Sequence, residues 1–387
     1  MTTNFKCANS QYDSRFVCEK QGEDCKTERK IVHNECKRCL FTSDIAIIPA
    51  GGGQCNYCDI HDQLEAQSKG GDLEKVLAKI RRPQKQYDCI MGISGGNDSS
   101  TLLYAAVKHW GLKPLVIHFD NGWNNEVAES NMKNLVAALN VNCIIYKVDA
   151  KEYRALNDSF LAAGLPDADI PNDIAMTKLM YETAHKYGIK YILNGHDFRT
   201  EGSTPAKWTY MDAKYIQSVY QWHTGKRLKN YPLFTFWDQI FYALKGIKNI
   251  RPFHYGFDRA KIEAEMIRDC GWKSYGPKHC ENIYTEFVGA YLLPKKFKID
   301  KRIVYLSAHV RSGTMTKLEA MNKMMEKTDF NTTKLGHVEK EILKLADYPK
   351  QSRSLFARYN FRKWKLLIWV LAKMKVVPHT FYVKYAK

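Results

Sequence analysis

The chain has 387 residues, 45% of them hydrophobic, and 59 Lys and Arg against 41 Asp and Glu give a net charge of +18. That length suits two or three domains with ordinary soluble cores. No apolar run reaches the length of a bilayer span, since the stretch from Leu366 to Ala372 is broken by Lys373. The opening Met-Thr-Thr-Asn-Phe-Lys lacks the apolar stretch of a secretory signal. Eleven cysteines in such a chain read as reduced thiols and metal ligands, so a cytoplasmic location is expected. Half of the net charge comes from residues 351–387, which hold nine Lys and Arg and no acid. A tail of that kind suits RNA, anionic lipid or an acidic partner, and equally a solvated face.

Residues 1–60 are cysteine-rich and poor in apolar period. Cys36-Lys37-Arg38-Cys39 and Cys55-Asn56-Tyr57-Cys58 are two C-x2-C knuckles, the spacing of a zinc ribbon with four protein ligands and no open position. Gly51-Gly52-Gly53 precedes the second knuckle and fits such a ribbon. A redox dithiol or an iron–sulfur cluster are the alternatives. Cys7, Cys18 and Cys25, with His33, match no spacing that compels a second site. A linker helix is expected within 61–86, interrupted at Gly70-Gly71 and ended by Arg81-Arg82-Pro83.

From Tyr87 to Asn194 strands and helices alternate. Strands are predicted at Tyr87–Ile93, Pro114–Phe119, Cys143–Val148 and Tyr191–Asn194. Helices are predicted near Asp98–Trp110, Asn125–Leu139 and Ile174–Tyr187, with Val127, Leu135, Val136 and Leu139 as the apolar stripe of the second. Short apolar strands alternating with helices imply an α/β fold with a doubly wound parallel sheet. Its ligands belong at the carboxyl ends of the strands, where Ser94, Asp120 and Gly195 fall. The region from Trp208 to Pro294 is aromatic, glycine-rich and weakly periodic, as binding loops with short helices would be. Beyond Asp300 the chain reads as helical, with Met315–Thr328 and Lys334–Ala346 as candidates. Three parts are therefore expected: a cysteine-rich module at 1–65, a nucleotide-binding domain with substrate loops at 66–300, and a helical region with a basic tail at 301–387.

The first strand runs into Ser94-Gly95-Gly96-Asn97-Asp98-Ser99-Ser100, which opens a helix. Two glycines let backbone approach a ligand, and free amides at the new helix start favour an anion. The Gly-Lys-Ser/Thr ending of a Walker loop is absent. The segment resembles the SGGxDS loop of the PP-loop ATP pyrophosphatases, which cleave ATP between the α- and β-phosphates. That resemblance implies that Ser94 to Ser100 seat pyrophosphate, with His118, Asp120 and Gly195 around the nucleotide. Asp120 would accept from a ribose hydroxyl or help hold Mg²⁺. His196 or Arg199 would neutralise phosphate charge.

A longer resemblance, from Cys36 to about Leu318, is to the N-acetyl sugar amidotransferases of bacterial surface-polysaccharide and O-antigen synthesis. It is carried by both knuckles, the loop at 94–100, HFDNGWNNEVA at 118–128, NGHDFRTEGSTPAKW at 194–208, GWKSYGPKHCENIYTEF at 271–287, LPKKFKIDKR at 293–302 and SGTMTKLEA at 312–320. It implies an enzyme that adenylates the acetamido oxygen of a nucleotide-linked sugar with ATP and Mg²⁺. Ammonia from a separate glutaminase, delivered by a cyclase-like subunit, then leaves an acetamidino group. Asp98, His196, Arg199 and Glu201 would be catalytic, and Zn²⁺ would be structural. Lys207, Trp208, Tyr210, Trp272, Tyr275, Lys278, His279 and Glu281 are candidates for the sugar nucleotide, although Trp208 and Trp272 fit core packing as well.

A tRNA-thiolating PP-loop enzyme is the alternative reading, and a zinc-ribbon scaffold without catalysis a third. Cys143, Cys270 and Cys280 form no C-x2-C pair, and the basic excess lies in the tail rather than the crevice, which argues against nucleic acid. The mixture of Trp, Leu, Lys and Arg from Phe361 to Tyr385 could lie on an anionic membrane or dock the ammonia-supplying partner.

Overall fold

A computed structural model describes residues 34–205, 207–256, 258–374 and 382. Cys7, Cys18, Cys25 and His33 lie outside the described residues, as do the last lysines of the tail.

The two cysteine knuckles fold against each other through an antiparallel bridge from Glu35 to Thr42 and a parallel one from Cys36 to Gly53. Gly51 and Gly52 take φ of 85° and 86°, a backbone that favours residues without a Cβ. The second knuckle opens α1 (Asn56–Lys69), and α2 (Leu73–Ile80) follows after the Gly70-Gly71 break with Asp72 as its cap. The linker helix thus begins at the second cysteine knuckle, earlier than its apolar residues suggest.

Five strands form one parallel sheet: β1 (Cys89–Gly92), β2 (Pro114–Asp120), β3 (Cys143–Lys147), β4 (Tyr191–Leu193) and β5 (Lys248–Ile250). Their order is β3-β2-β1-β4-β5, with Ile90 opposite Leu115 on one side and Ile192 on the other. The fold class read from the sequence is the one found. β5 was not legible, because three residues with only Ile250 apolar make no pattern. Strand order runs outward in opposite directions from β1 and β4, so the ligand crevice opens at their carboxyl ends.

Between and after the strands come α3 (Asn97–Tyr104), α4 (Glu126–Ala138), α5 (Ala150–Ala162), α6 (Ile170–Lys186), α7 (Ala213–Thr224), α8 (Phe236–Leu244), α9 (Arg259–Cys270), α10 (Ile283–Phe287), α11 (Arg302–Arg311), α12 (Lys317–Met325), α13 (Glu339–Ala346) and α14 (Lys365–Lys373). Alternate residues of β1 serve opposite faces. Cys89 and Met91 pack with α3, α4 and α9, while Ile90 packs with Met180 and Ala184 of α6 and Tyr242 of α8. The helix expected to run from Asp98 to Trp110 changes to a π turn at Ala105–His109. In α4 Leu135 and Leu139 are buried and Val136 packs on the core as expected, but at the helix start Ala128 is buried and Val127 exposed. The Ala128 backbone lies against the phosphate loop at Gly95.

The ribbon has no closed core of its own. Leu40, Phe41 and the four cysteines share one apolar cluster with Ile303, Val304 and Leu306 of α11 and Ala320 and Met324 of α12. Among the described residues no helix is long and apolar enough to cross a membrane.

Candidate active site

Gly95 has φ of +77°, and a Cβ there would meet the Ala128 carbonyl oxygen at 1.8 Å. Only glycine lets the loop lie on the first turn of α4. The loop then bonds to itself. Ser94 Oγ receives the Gly96 amide at 3.2 Å, and Ser99 Oγ receives the Ser94 amide at 3.3 Å. Asn97 to Ser100 begin α3, whose first amides face the crevice; the Asn97 amide donates weakly to Tyr275 Oη at 3.4 Å. The Tyr275 hydroxyl therefore stands at the helix start, where an anion would sit.

Charge gathers around Asp98. Arg259 of α9 bonds one carboxylate oxygen through Nη2, and Lys278 Nζ lies 2.9 Å from the other. Burial works against the charge of Asp98, but Lys278 and Arg259 more than offset it and hold the carboxyl well below its ordinary range. Arg259 also reaches Asp197 at 3.2 Å and Glu263 at 2.7 Å, and Glu263 accepts from the Asn97 side chain at 3.0 Å. Lys278 lies 3.8 Å from Glu201. Burial, opposed by Lys278 and reinforced by Asp98, pushes the Glu201 carboxyl up to about 8, so it holds a proton at neutral pH.

The loop 271–282 covers this cluster. Trp272 Nε1 donates to the Gly95 carbonyl at 3.1 Å, and Asn131 of α4 pins Lys273 by two backbone bonds of 2.7 and 2.8 Å. Glu281 lies against Gly96, and its Oε2 is buried with no hydrogen-bond partner among the described residues. His279 is exposed, with a left-handed φ of 68°. An unpartnered carboxylate oxygen beside a phosphate-type loop suits Mg²⁺, which holds nucleotide phosphates through one or two carboxylates. Glu281 is the residue that fits, since both Asp98 oxygens are held by Arg259 and Lys278.

The other candidate residues are held by partners of their own, and His196 lies 4.0 Å from Glu201 at the edge of this cluster. Arg199 is bound to both Glu65 oxygens at 2.6 and 3.0 Å, to Ser68 and to the Phe253 carbonyl. It clamps α1 to the β4 end and presents no free charge to the crevice. His196 is pushed down to about 4 by burial and the nearby Arg251, so it is neutral. Its Nε2 meets the Gly202 carbonyl at 3.2 Å. His118 is buried, held by the Ile93 carbonyl at 2.9 Å and by Asn124. Asp120 closes an Asx turn onto the Gly122 amide at 3.1 Å. Lys207, Trp208 and Tyr210 form a separate neighbourhood. Trp208 packs on the ribbon cluster, Arg353 grips the Lys207 and Trp208 carbonyls, and the Tyr210 amide donates to Asp167.

Two cations escaped the sequence. Arg259 lies four residues before Glu263, which reads as an ordinary solvated helix pair. Arg251 follows β5, the strand with no pattern. It is exposed, has no ion pair among the described residues, and its charge is felt by Glu201, His196 and His254.

The four ribbon thiols lie within 4.8 Å of one another, with Cys36–Cys58, Cys39–Cys55 and Cys55–Cys58 sulfurs 3.7 Å apart. Four ligands at about 2.3 Å around one tetrahedral ion have edges of roughly 3.8 Å, so the cage fits Zn²⁺. Arg311, buried, donates to Cys39 Sγ at 3.2 Å and offsets the charge that four thiolates would carry.

A parallel α/β sheet carrying a glycine-rich phosphate-type loop, with a cysteine ribbon and a helical C-terminal region, is thus defined. Residues 281–371 match the family described as LPS biosynthesis protein WbpG-like, C-terminal domain. That description agrees with the surface-polysaccharide part of the resemblance. An uncharacterised protein of Methanocaldococcus jannaschii is 24% identical over 167 residues, 42% of this chain and 59% of that protein. Among solved structures, NMN synthetase from Francisella tularensis is similar with a TM-score of 0.30 and 14% identity, over 55% of this chain and 71% of that one. The U34-tRNA thiolase NcsA from Methanococcus maripaludis, with its [4Fe-4S] cluster, is similar with a TM-score of 0.31 and 13% identity, over 83% of this chain and 100% of that one.

Proposed function

We infer that the protein is an ATP-dependent amidotransferase acting on a nucleotide-linked N-acetyl sugar in surface-polysaccharide synthesis. The observation that carries this reading is the glycine loop pressed on α4, with Asp98 held between Lys278 and Arg259 beneath the 271–282 loop. The lipopolysaccharide-biosynthesis match over 281–371 supports the pathway.

In this reading the triphosphate lies on the loop amides, with the β- and γ-phosphates at the start of α3. Glu281 would hold Mg²⁺, which would supply positive charge to the phosphates. The acetamido oxygen attacks the α-phosphorus and the bond to the β-phosphate oxygen breaks, giving an imidoyl-adenylate and pyrophosphate. Lys278 and Arg251 would stabilise that leaving group, and Arg259, tied to Asp98, Asp197 and Glu263, would hold Asp98 in position. Trp272 and Tyr275 exclude water that would hydrolyse the adenylate. Ammonia then adds to the imidoyl carbon and AMP leaves with the former amide oxygen, so the sugar exchanges O for NH. Glu201, protonated at neutral pH, can give a proton to a departing phosphate oxygen. Ammonia would come from a separate glutaminase through a cyclase-like subunit.

A thiolating enzyme needs a reactive thiolate. Burial, joined by Glu286, pushes Cys280 up to about 12, and burial also raises Cys89, Cys143 and Cys270, which disfavours that alternative. The test is incubation with ATP, Mg²⁺, ammonium and a panel of UDP-N-acetyl sugars. Pyrophosphate, AMP and a sugar carrying NH in place of O are expected. ATP cleavage triggered by tRNA alone would assign the chain to the other class.

A further inference from the structure

We propose that α8 and α14 together form a membrane-seating surface for an anionic bilayer. The two helices are distant in sequence but joined in space. Phe236 on α8 packs with Ile368 and Ala372 of α14, with Ile240 and Phe361 against them. This contact uses one stripe of each helix and leaves the others bare. On α8 the residues at the next helical positions, Trp237, Phe241 and Leu244, are 69%, 43% and 74% exposed. On α14 and its lead-in, Trp364, Leu366, Leu367 and Met374 are exposed, Leu366 by 75%. Three of the chain's eight tryptophans, Trp237, Trp364 and Trp369, stand on this exposed surface. A soluble surface rarely gathers so much apolar area without a partner.

The charge around the patch selects the partner. Residues 351–387 carry nine Lys and Arg and no acid. Lys363, Lys365 and Lys373 alternate with the apolar side chains, and Lys245 and Lys248, both exposed, flank the end of α8. The single acid of α8, Asp238, is spent on the Thr235 cap and on Lys178 at 2.7 Å. Lysine is depleted from the cores of protein interfaces. Interleaved Lys, Trp and Leu instead match the bilayer interface, where indoles sit at headgroup depth and ammonium groups meet anionic headgroups. Neither signal suffices alone, and the short helices supply both.

The test is flotation of the full chain with vesicles of phosphatidylcholine alone and with phosphatidylglycerol added. Binding to the mixed vesicles and little to the neutral ones is expected. Lys365→Gln with Lys373→Gln should weaken that binding about thirtyfold. Trp237→Ser with Leu244→Ser should weaken it about a hundredfold, although α8 lies more than a hundred residues from the tail. Both pairs are exposed, and an unchanged urea midpoint shows that the fold survives. Full binding by the α8 variant would overturn the two-helix surface. So would failure to float with either vesicle, or a concentration-dependent dimer whose formation the α8 variant abolishes.

Discussion

Replacing Gly95 by alanine tests the geometry on which the site rests. The added Cβ would stand 1.8 Å from the Ala128 carbonyl oxygen and 2.6 Å from its carbon. Both obstacles are backbone in the first turn of α4, so no side-chain rotation relieves them. The left-handed φ of +77° costs an L-residue about 1–2 kcal/mol. Overpacking against a fixed wall adds roughly 1–3 kcal/mol. Gly111→Ala is the control, because Gly111 has φ of +60° and nothing within 4 Å of an added Cβ. That variant should lose the backbone part alone. Urea unfolding followed by far-ultraviolet circular dichroism should show a clearly larger midpoint shift for Gly95→Ala. ATP affinity, measured on protein that remains folded, should fall only for Gly95→Ala, since the loop must move off α4. Equal midpoint shifts in the two variants would refute the close approach and the loop position derived from it.

Arg259→Met should cut pyrophosphate formation by roughly a hundredfold or more, and an undiminished rate would remove Arg259 from the site. Arg199→Met should lower the melting temperature by the loss of about 1–3 kcal/mol of charged hydrogen bonding while leaving KM for ATP unchanged; a raised KM with normal stability would return Arg199 to the phosphates. The rate should fall as pH rises through about 8, where Glu201 loses its proton, and Glu201→Gln should abolish that limb. Because the folded pKa lies above the unfolded one, the Glu201 contribution to stability is fully present below about pH 4.5 and is lost as pH rises through about 8; a Gln variant with the same slope would count against it. Elemental analysis should find one zinc per chain, and its removal should expose α11 and α12 to protease, because they complete the ribbon core. A chain free of metal would exclude the site, and two zincs would implicate the upstream cysteines.

Much of the site was legible where local pattern and chemistry coincide. The strand, glycine pair and helix start at Ser94 sit as their order implies, and both knuckles converge on one cage. Trp272, Tyr275, Lys278 and Glu281 come together over the loop, although no local spacing says so. Arg199 and His196 were selected by position at a strand end, yet a strand end holds positioning groups as well as reacting ones. Arg199 is bound by Glu65, Ser68 and the Phe253 carbonyl, and His196 is neutral in its half-buried seat.

The sequence by itself determined the parallel α/β sheet, the phosphate-type loop, the four-thiol cage and the basic tail. Each depends on hydrophobic period, backbone freedom or ligand spacing within some twenty residues. Tertiary structure alone decided which cations face Asp98, that the ribbon closes on α11 and α12, and that α8 extends the surface of the tail. Those outcomes join side chains separated by well over a hundred residues. Charge pairing and burial at such separations follow from how helices pack on the sheet, and no local pattern encodes that.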